Sequence, residues 1–331
     1  MPTLVLVACG RGNPSAAGSG ADGPPASQGE GEGEDRSEGE GEGEDRGEGE
    51  GEGDDVEPRC PDASYVEDLS AADADVDALE RSYAPSAWDS TALALLQARY
   101  PVGRYIIDET RSGGFDCLED FTSAEDRADF SALARSLSTS VHECGHGLDF
   151  ERGGFDRALY VLRADLVFDL PVLDTFPLRE IHQYTNDDDF YADTYLAGAI
   201  GDQFFDSLME EFTQYVNSLM VAAAMNDQYD RDGGVSERDG ILTFMLYLEV
   251  YLQHARVHDG ATYERILSNA EWREFLLTVW GRAELALSRT AGMEFLGIND
   301  DDIESRMRSP DLTGEIDRVR ERHGCADLLS P

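Results

Sequence analysis

The chain of 331 residues contains no lysine. Its 26 basic side chains are all arginine and face 69 acids, for a formal net charge of -43. No basic stripe exists to neutralise phosphates, which excludes nucleic-acid binding as a function class. The acidity is not confined to one end. Residues 1–58 hold 16 acids and three arginines, so most of the excess lies in the remaining body. Such a field attracts cations, metal ions included. Histidine is scarce, at six residues, and no two cysteines stand in CxxC spacing that would suggest a thiolate-bound zinc site. No segment is apolar over a length that would span a membrane as a helix.

Against that scarcity, two of the six histidines stand four apart in His142-Glu143-Cys144-Gly145-His146, an HExxH pattern. Roughly 0.01 occurrences are expected by chance in a chain of this composition. Asp129, Phe130, Leu133, Ala134, Leu137, Val141, Gly145 and Leu148 recur at three- and four-residue steps, which predicts a helix with an apolar side. Residues four apart share a helix face one turn apart, so both imidazoles can point at one ion. Glu143, one step round, can then reach a water on that ion as a general base.

The rest of the chain divides in three. Leu6-Val7-Ala8-Cys9 ends a short apolar run. It resembles the lipobox of bacterial lipoproteins, which implies a truncated signal peptide over residues 1–9 and acylation of Cys9. Residues 10–58 alternate glycine with glutamate and repeat Glu34-Asp35-Arg36 as Glu44-Asp45-Arg46. Such composition buries too little apolar surface to offset its ordering entropy, so a disordered acidic linker is expected. Residues 59–331 form the body. Helices are expected at Val66–Tyr83, Ala87–Tyr100, Ala124–Phe150, Tyr191–Met225 (broken near Gly198 or Gly201), Glu237–Val257, Tyr263–Ser288 and Leu312–Arg322. Short strands are expected at Arg104–Asp108, Ala158–Arg163 and Leu166–Leu170, with Gly113, Gly114 and Cys117 in a loop. This predicts one α+β domain, mainly α.

Five cysteines occur, and Cys9 stands apart. The four in the body allow three disulfide connectivities, or none if they are buried thiols. A Cys60–Cys325 bond would tie the ends of the body together, and Cys117–Cys144 would anchor the motif helix to the preceding loop.

A catalytic zinc ion takes three protein ligands. The metzincin extension needs glycine at position 149 and histidine at 152, where Asp149 and Arg152 stand. The other common third ligand is a glutamate on a second helix. At roughly 100° per residue, Phe204, Leu208, Phe212, Tyr215 and Leu219 form one apolar stripe. Glu211 flanks that stripe, whereas Glu210 points about 160° from its centre, toward solvent. Glu211 is therefore favoured, with Glu210 as the alternative. The run from Glu211 to Tyr215 resembles the glutamate helix of gluzincins, although Glu210-Glu211-Phe212-Thr213 also fits a gluzincin form.

The chain thus resembles zincin metallopeptidases of the gluzincin kind over roughly 50 residues. The resemblance implies a zincin-like domain, one Zn²⁺ held by His142, His146 and Glu211, and peptide hydrolysis with Glu143 as general base on zinc-bound water. Candidate oxyanion stabilisers are Tyr191, Tyr195, His254 and His258; the last two are also four apart and are a candidate second metal pair. Asp230 to Asp239 resembles an EF-hand loop at several positions, but Gln228 is a poor first ligand. Ca²⁺ is accordingly a lesser expectation than a turn with Ser236 as N-cap. The partners implied are a peptide or protein substrate and, through the lipid anchor, a membrane, which places the chain outside the cytoplasm at the periplasm or cell surface. The alternative is a non-catalytic surface lipoprotein with a structural or vestigial metal site.

Overall fold

The computed structural model describes residues 60–154, 157–185, 189, 191–231 and 234–325. The expected signal peptide, Cys9 and the acidic linker lie outside these residues. The described residues are mainly helical, with a single two-stranded antiparallel sheet, and fall in one compact unit. No helix among them is long and apolar enough to cross a membrane.

The motif helix runs Phe130–Arg152. It starts six residues later than the expected Ala124, at the point where its apolar periodicity begins. Asp129 is extended, and its carboxylate accepts the Ala132 amide, which makes it the N-cap. Gly153 ends the helix. Leu133, Leu137, Val141, Cys144 and Leu148 are fully buried along one face. Each contributes about 1.5–3 kcal/mol by leaving water.

The β hairpin follows. Strand β1 (Arg157–Arg163) pairs with β2 (Leu166–Pro171), with Tyr160 opposite Phe168 and an irregularity between Val161 and Arg163. The Val161 amide turns away from the ladder and donates to Asp149 Oδ1 on the motif helix at 2.9 Å. The hairpin is thereby joined to the helix that carries the histidines.

The expected Tyr191–Met225 stretch is two elements. A single turn at Ala192–Tyr195 is followed by the partner helix Phe205–Ala224. Gly198 separates them with φ of 58°, a conformation that other residues enter only at a cost. The central helix, Glu237–His258, is buried on nearly every side, as its continuous apolar composition requires. Phe205 meets Tyr251 and Tyr215 stacks on Phe244, so the partner and central helices run antiparallel.

Several expectations are corrected. Arg104–Asp108 is not a strand but part of a helix, Pro101–Ser112. Pro101 occupies its first turn, where a missing amide hydrogen costs nothing. Gly103, Ile106, Ile107 and Thr110 are buried at helical spacing, and Arg104 pairs with Asp108 one turn on. The adjacent isoleucines suggest a strand only when this spacing is ignored. Val66–Tyr83 is not continuous: a 3-10 turn at Ser70–Asp73 and a helix at Asp77–Ser82 are separated by extended Ala74. Tyr263–Ser288 is divided into Gly260–Ser268 and Ala270–Arg289 because the Asn269 side chain caps the second helix. A further helix, Asp300–Met307, has no counterpart in the expectations, and the last runs Gly314–His323. Cys117 opens a four-residue helix, Cys117–Asp120.

Both cross-links Cys60–Cys325 and Cys117–Cys144 are present. For the 27-residue separation of the second, restriction of the unfolded chain contributes about 3–4 kcal/mol. The first is reinforced where Arg320 pairs with Asp62 and the fully buried Arg282 pairs with Glu67 and Tyr100.

Glu249 on the central helix is fully buried, and neither carboxylate oxygen has a hydrogen-bond partner among the described residues. Burial, aided by the charges of Glu315, Glu284 and Asp317 and opposed by Arg308, pushes its pKa from 4.5 up to about 8. The folded chain therefore holds a proton that the unfolded chain releases above 4.5. Stability is lost as pH rises through that window, at about 1.4 kcal/mol per unit at most. Glu249→Gln is expected to stabilise the protein by a few kcal/mol at pH 8.5 and by little at pH 4.5. Urea unfolding at the two pH values checks this, and an equal gain at both would refute it.

Candidate metal centre

The motif helix lies along the partner helix and shares its longest seam with it. The chemistry-bearing residues face each other across that seam. His142, Glu143, His146, Asp149 and Glu211 are all buried. His142 Nε2 and His146 Nε2 are 2.9 Å apart, and Glu211 Oε2 lies 3.6 Å from each. Among the described residues this is the only group of three or more histidine, cysteine or acid side chains so gathered.

The outer ring nitrogens are held separately. His142 Nδ1 is 2.9 Å from Ser218 Oγ, and that hydroxyl donates to the Gln214 carbonyl one turn back. Ser218 thus accepts from His142 Nδ1–H. His146 Nδ1–H donates to Glu210 Oε1 at 2.6 Å. With both hydrogens on Nδ1, the two Nε2 lone pairs confront each other and an acid oxygen. Glu211 Oε2 is itself buried without a hydrogen-bond partner. Three facing lone pairs are mutually repulsive unless a positive charge sits among them.

The spacing fits a metal ion. Ligands at about 2.0–2.1 Å from a tetrahedral zinc ion stand about 3.3 Å from one another, and the three separations here fall on either side of that value. The donor set, two imidazoles and one carboxylate with outer hydrogen bonds that fix the rings, suits such an ion. In the absence of an ion a proton takes its place. Burial opposes charge on His146, but Glu210 and Glu211, the Glu210 hydrogen bond and Glu143 outweigh it and push the pKa up to about 10. Glu211 meets the same balance from the other side. Burial would raise its pKa, and the nearby charges of His146 and His142 hold it below the usual value. A metal must displace that proton, so occupancy rises with pH.

Glu143 is adjacent to this group, and its carboxylate makes no hydrogen bond with a described residue. Burial raises its pKa, with Glu211 and Glu210 adding to the rise and the two histidines opposing it. That moves it toward the range in which a carboxylate exchanges protons near neutrality.

The structure separates the two candidate third ligands by role. Glu211 faces both rings. Glu210, expected to point into solvent, instead grips the far side of His146. Tyr195 lies beside the group: its hydroxyl bonds that of Tyr215, whose ring meets His142 edge-on at 4.8 Å. Burial and the Glu211 charge push both phenols well upward, so they remain hydrogen-bond donors. Tyr191 is stacked behind Tyr195 and donates to the Ser236 carbonyl. His254 and His258 do not join the centre. His254 packs on Phe176 and Tyr184 near the other end of the central helix. The Ca²⁺ expectation also loses its last ligand, because Asp239 accepts the Ile298 and Asn299 amides; residues 232 and 233 of that loop lie outside the described residues.

Asp149, Gln214 and Ser218 were not foreseen. Asp149 Oδ2 accepts from Gln214 Nε2 at 3.0 Å, and Gln214 Oε1 accepts from Asn217. Helical spacing held a signal for two of them. Asp149 is seven residues beyond His142, and Ser218 seven beyond Glu211, so each shares the face of a ligand.

Gln214 crosses the motif helix where that helix carries Gly145. A Cβ there would lie 1.8 Å from Gln214 Oε1. No protein-family model, curated protein or solved structure matches this chain.

Two outcomes are expected. Gly145→Ala displaces Gln214 and costs about 1–3 kcal/mol in urea unfolding; a change within 0.5 kcal/mol would show that the crossing is not tight. Glu211→Ala is expected to abolish tight metal binding, while Glu210→Ala weakens it by roughly 10–100-fold, as loss of an outer partner does. Equilibrium dialysis against zinc distinguishes the two, and the reverse order would exchange the roles.

Proposed function

We propose that this chain is a zinc-dependent peptide hydrolase with a zincin-like domain of the gluzincin kind. The observation that carries the reading is Glu143, a buried carboxylate with open lone pairs beside a His/His/Glu group. A purely structural ion needs no such neighbour. His142 and His146 would hold the ion through Nε2 and Glu211 through Oε2. When bound, it supplies Lewis acidity, lowering the pKa of water toward about 7 and polarising a carbonyl oxygen. Zinc is favoured over magnesium or calcium because imidazole is a poor ligand for those hard ions.

The side chains of the chain supply the rest. Ser218 and Glu210 lock the ring orientations. Glu143 accepts a proton from the attacking water and returns it to the departing amine. In the hydrogen-bonded Tyr195–Tyr215 pair, kept protonated, the hydroxyl whose hydrogen is not shared between them would donate to the developing oxyanion. A small cleft lined by Phe150, Tyr160, Asp206 and Glu210 lies behind His146, on the side of its Nδ1.

We further read the protein as an extracytoplasmic bacterial lipoprotein, tethered through Cys9 by the acidic linker. Leu6-Val7-Ala8-Cys9 supports the anchor, and two disulfides suit an oxidising compartment.

Glu143→Gln is expected to keep one zinc per chain and lose about 10²–10⁴ in kcat on quenched-fluorescence peptide libraries. Metal analysis and kinetics on the same preparation check both halves. Wild type with full zinc and no cleavage of any library member would instead support a metal site kept for stability or partner binding.

A further inference from the structure

A second pair of histidines shares the spacing of the first, though its rings are tilted at 41° rather than 70°. His254 and His258 stand four apart on the central helix, with ring centroids 4.9 Å apart against 4.7 Å for His142 and His146. His254 is largely buried, wedged edge-on against Phe176 at 4.8 Å. Its Nδ1 is 2.9 Å from the Tyr184 hydroxyl. Nδ1 is thereby engaged, so Nε2 is the ring nitrogen open to an ion. This is the outer-partner arrangement that orients metal-binding imidazoles. His258 is exposed, and its ring nitrogens have no hydrogen-bond partner among the described residues. Two carboxylates act on His254, those of Glu180 and Asp259. Asp259 is committed to capping the next helix through Thr262, whereas the exposed Glu180 side chain makes no hydrogen bond with a described residue.

We propose that His254 and His258 form a second binding site for a divalent transition metal, a two-imidazole site whose remaining positions would be filled by water. Two imidazoles on one rigid helical turn favour copper, nickel or zinc over calcium or magnesium. The ion would sit at the end of the central helix, where the segment Leu178–Tyr184 packs against it through Tyr184. The site shares no residue with the first centre, and only the zinc-retention arm of the test rests on the zinc reading of that centre; the loss of the copper signal in His258→Ala does not.

The probe is copper(II), added to the full chain after loading with one equivalent of zinc. Wild type is expected to bind one copper with a nitrogen-coordinated electron paramagnetic resonance signal while its zinc content stays at one per chain. His258→Ala, a change at an exposed position, is expected to lose that signal and keep its zinc. Tyr184→Phe, which removes only the outer partner, is expected to weaken copper binding by roughly tenfold or more. Circular dichroism of both variants confirms the fold. An undiminished nitrogen signal in His258→Ala overturns the proposal. So does a wild-type signal that appears only as zinc is released, since the copper would then occupy the first centre.

Discussion

Three lone pairs meeting in a dry seam are the constraint around which this structure is organised. His142 Nε2, His146 Nε2 and Glu211 Oε2 approach within 3.6 Å, in residues that are largely but not wholly buried. Such an arrangement is repulsive unless a cation sits among the lone pairs. Folding must supply the energy to hold the donors together. It does so through the apolar face of the motif helix, the disulfide at Cys144 and the hydrogen bonds of Ser218 and Glu210 behind the rings.

The seam is also fixed in register. Gln214 passes over Gly145 to reach Asp149, and Asp149 in turn takes the Val161 amide from the hairpin. One carboxylate therefore joins the motif helix to two other elements. If either helix slid by one residue, Gln214 would meet a side chain instead of the gap left by a glycine. The geometry at the histidines thus follows from contacts one turn away, which touch no ion themselves.

Much of this was legible in order of how local the signal is. The histidine pair depends on four consecutive steps of one helix, and Glu211 depends on the phase of an amphipathic stripe; both are properties of a single element. The hairpin too was readable, from two short apolar runs. Glu210, Ser218 and Gln214 were not, because their roles arise only when two helices are laid side by side in a particular register. His254 and His258 make the same point in reverse. Their spacing is that of His142 and His146, yet the central helix carries them to a different neighbourhood, and no local pattern encodes that destination. The misread strand at Arg104–Asp108 came from weighing the branched side chains of Ile106 and Ile107 above Pro101 and the burial spacing around them. Boundaries fared worst where a single side chain decides them, as with the caps at Asp129 and Asn269.

The bond between Cys117 and Cys144 has a practical consequence for anyone who handles the protein. One of its sulfurs belongs to the residue midway between the two histidines, so thiol chemistry and metal chemistry are neighbours on a single turn. A preparation kept in dithiothreitol is exposed to a reagent that attacks that bridge and, if the centre holds zinc, also competes for that ion. Loss of ion and loss of tether would then arrive together and look like one event. Phosphine reductants, which bind zinc weakly, and a chelator applied alone would pull the two apart.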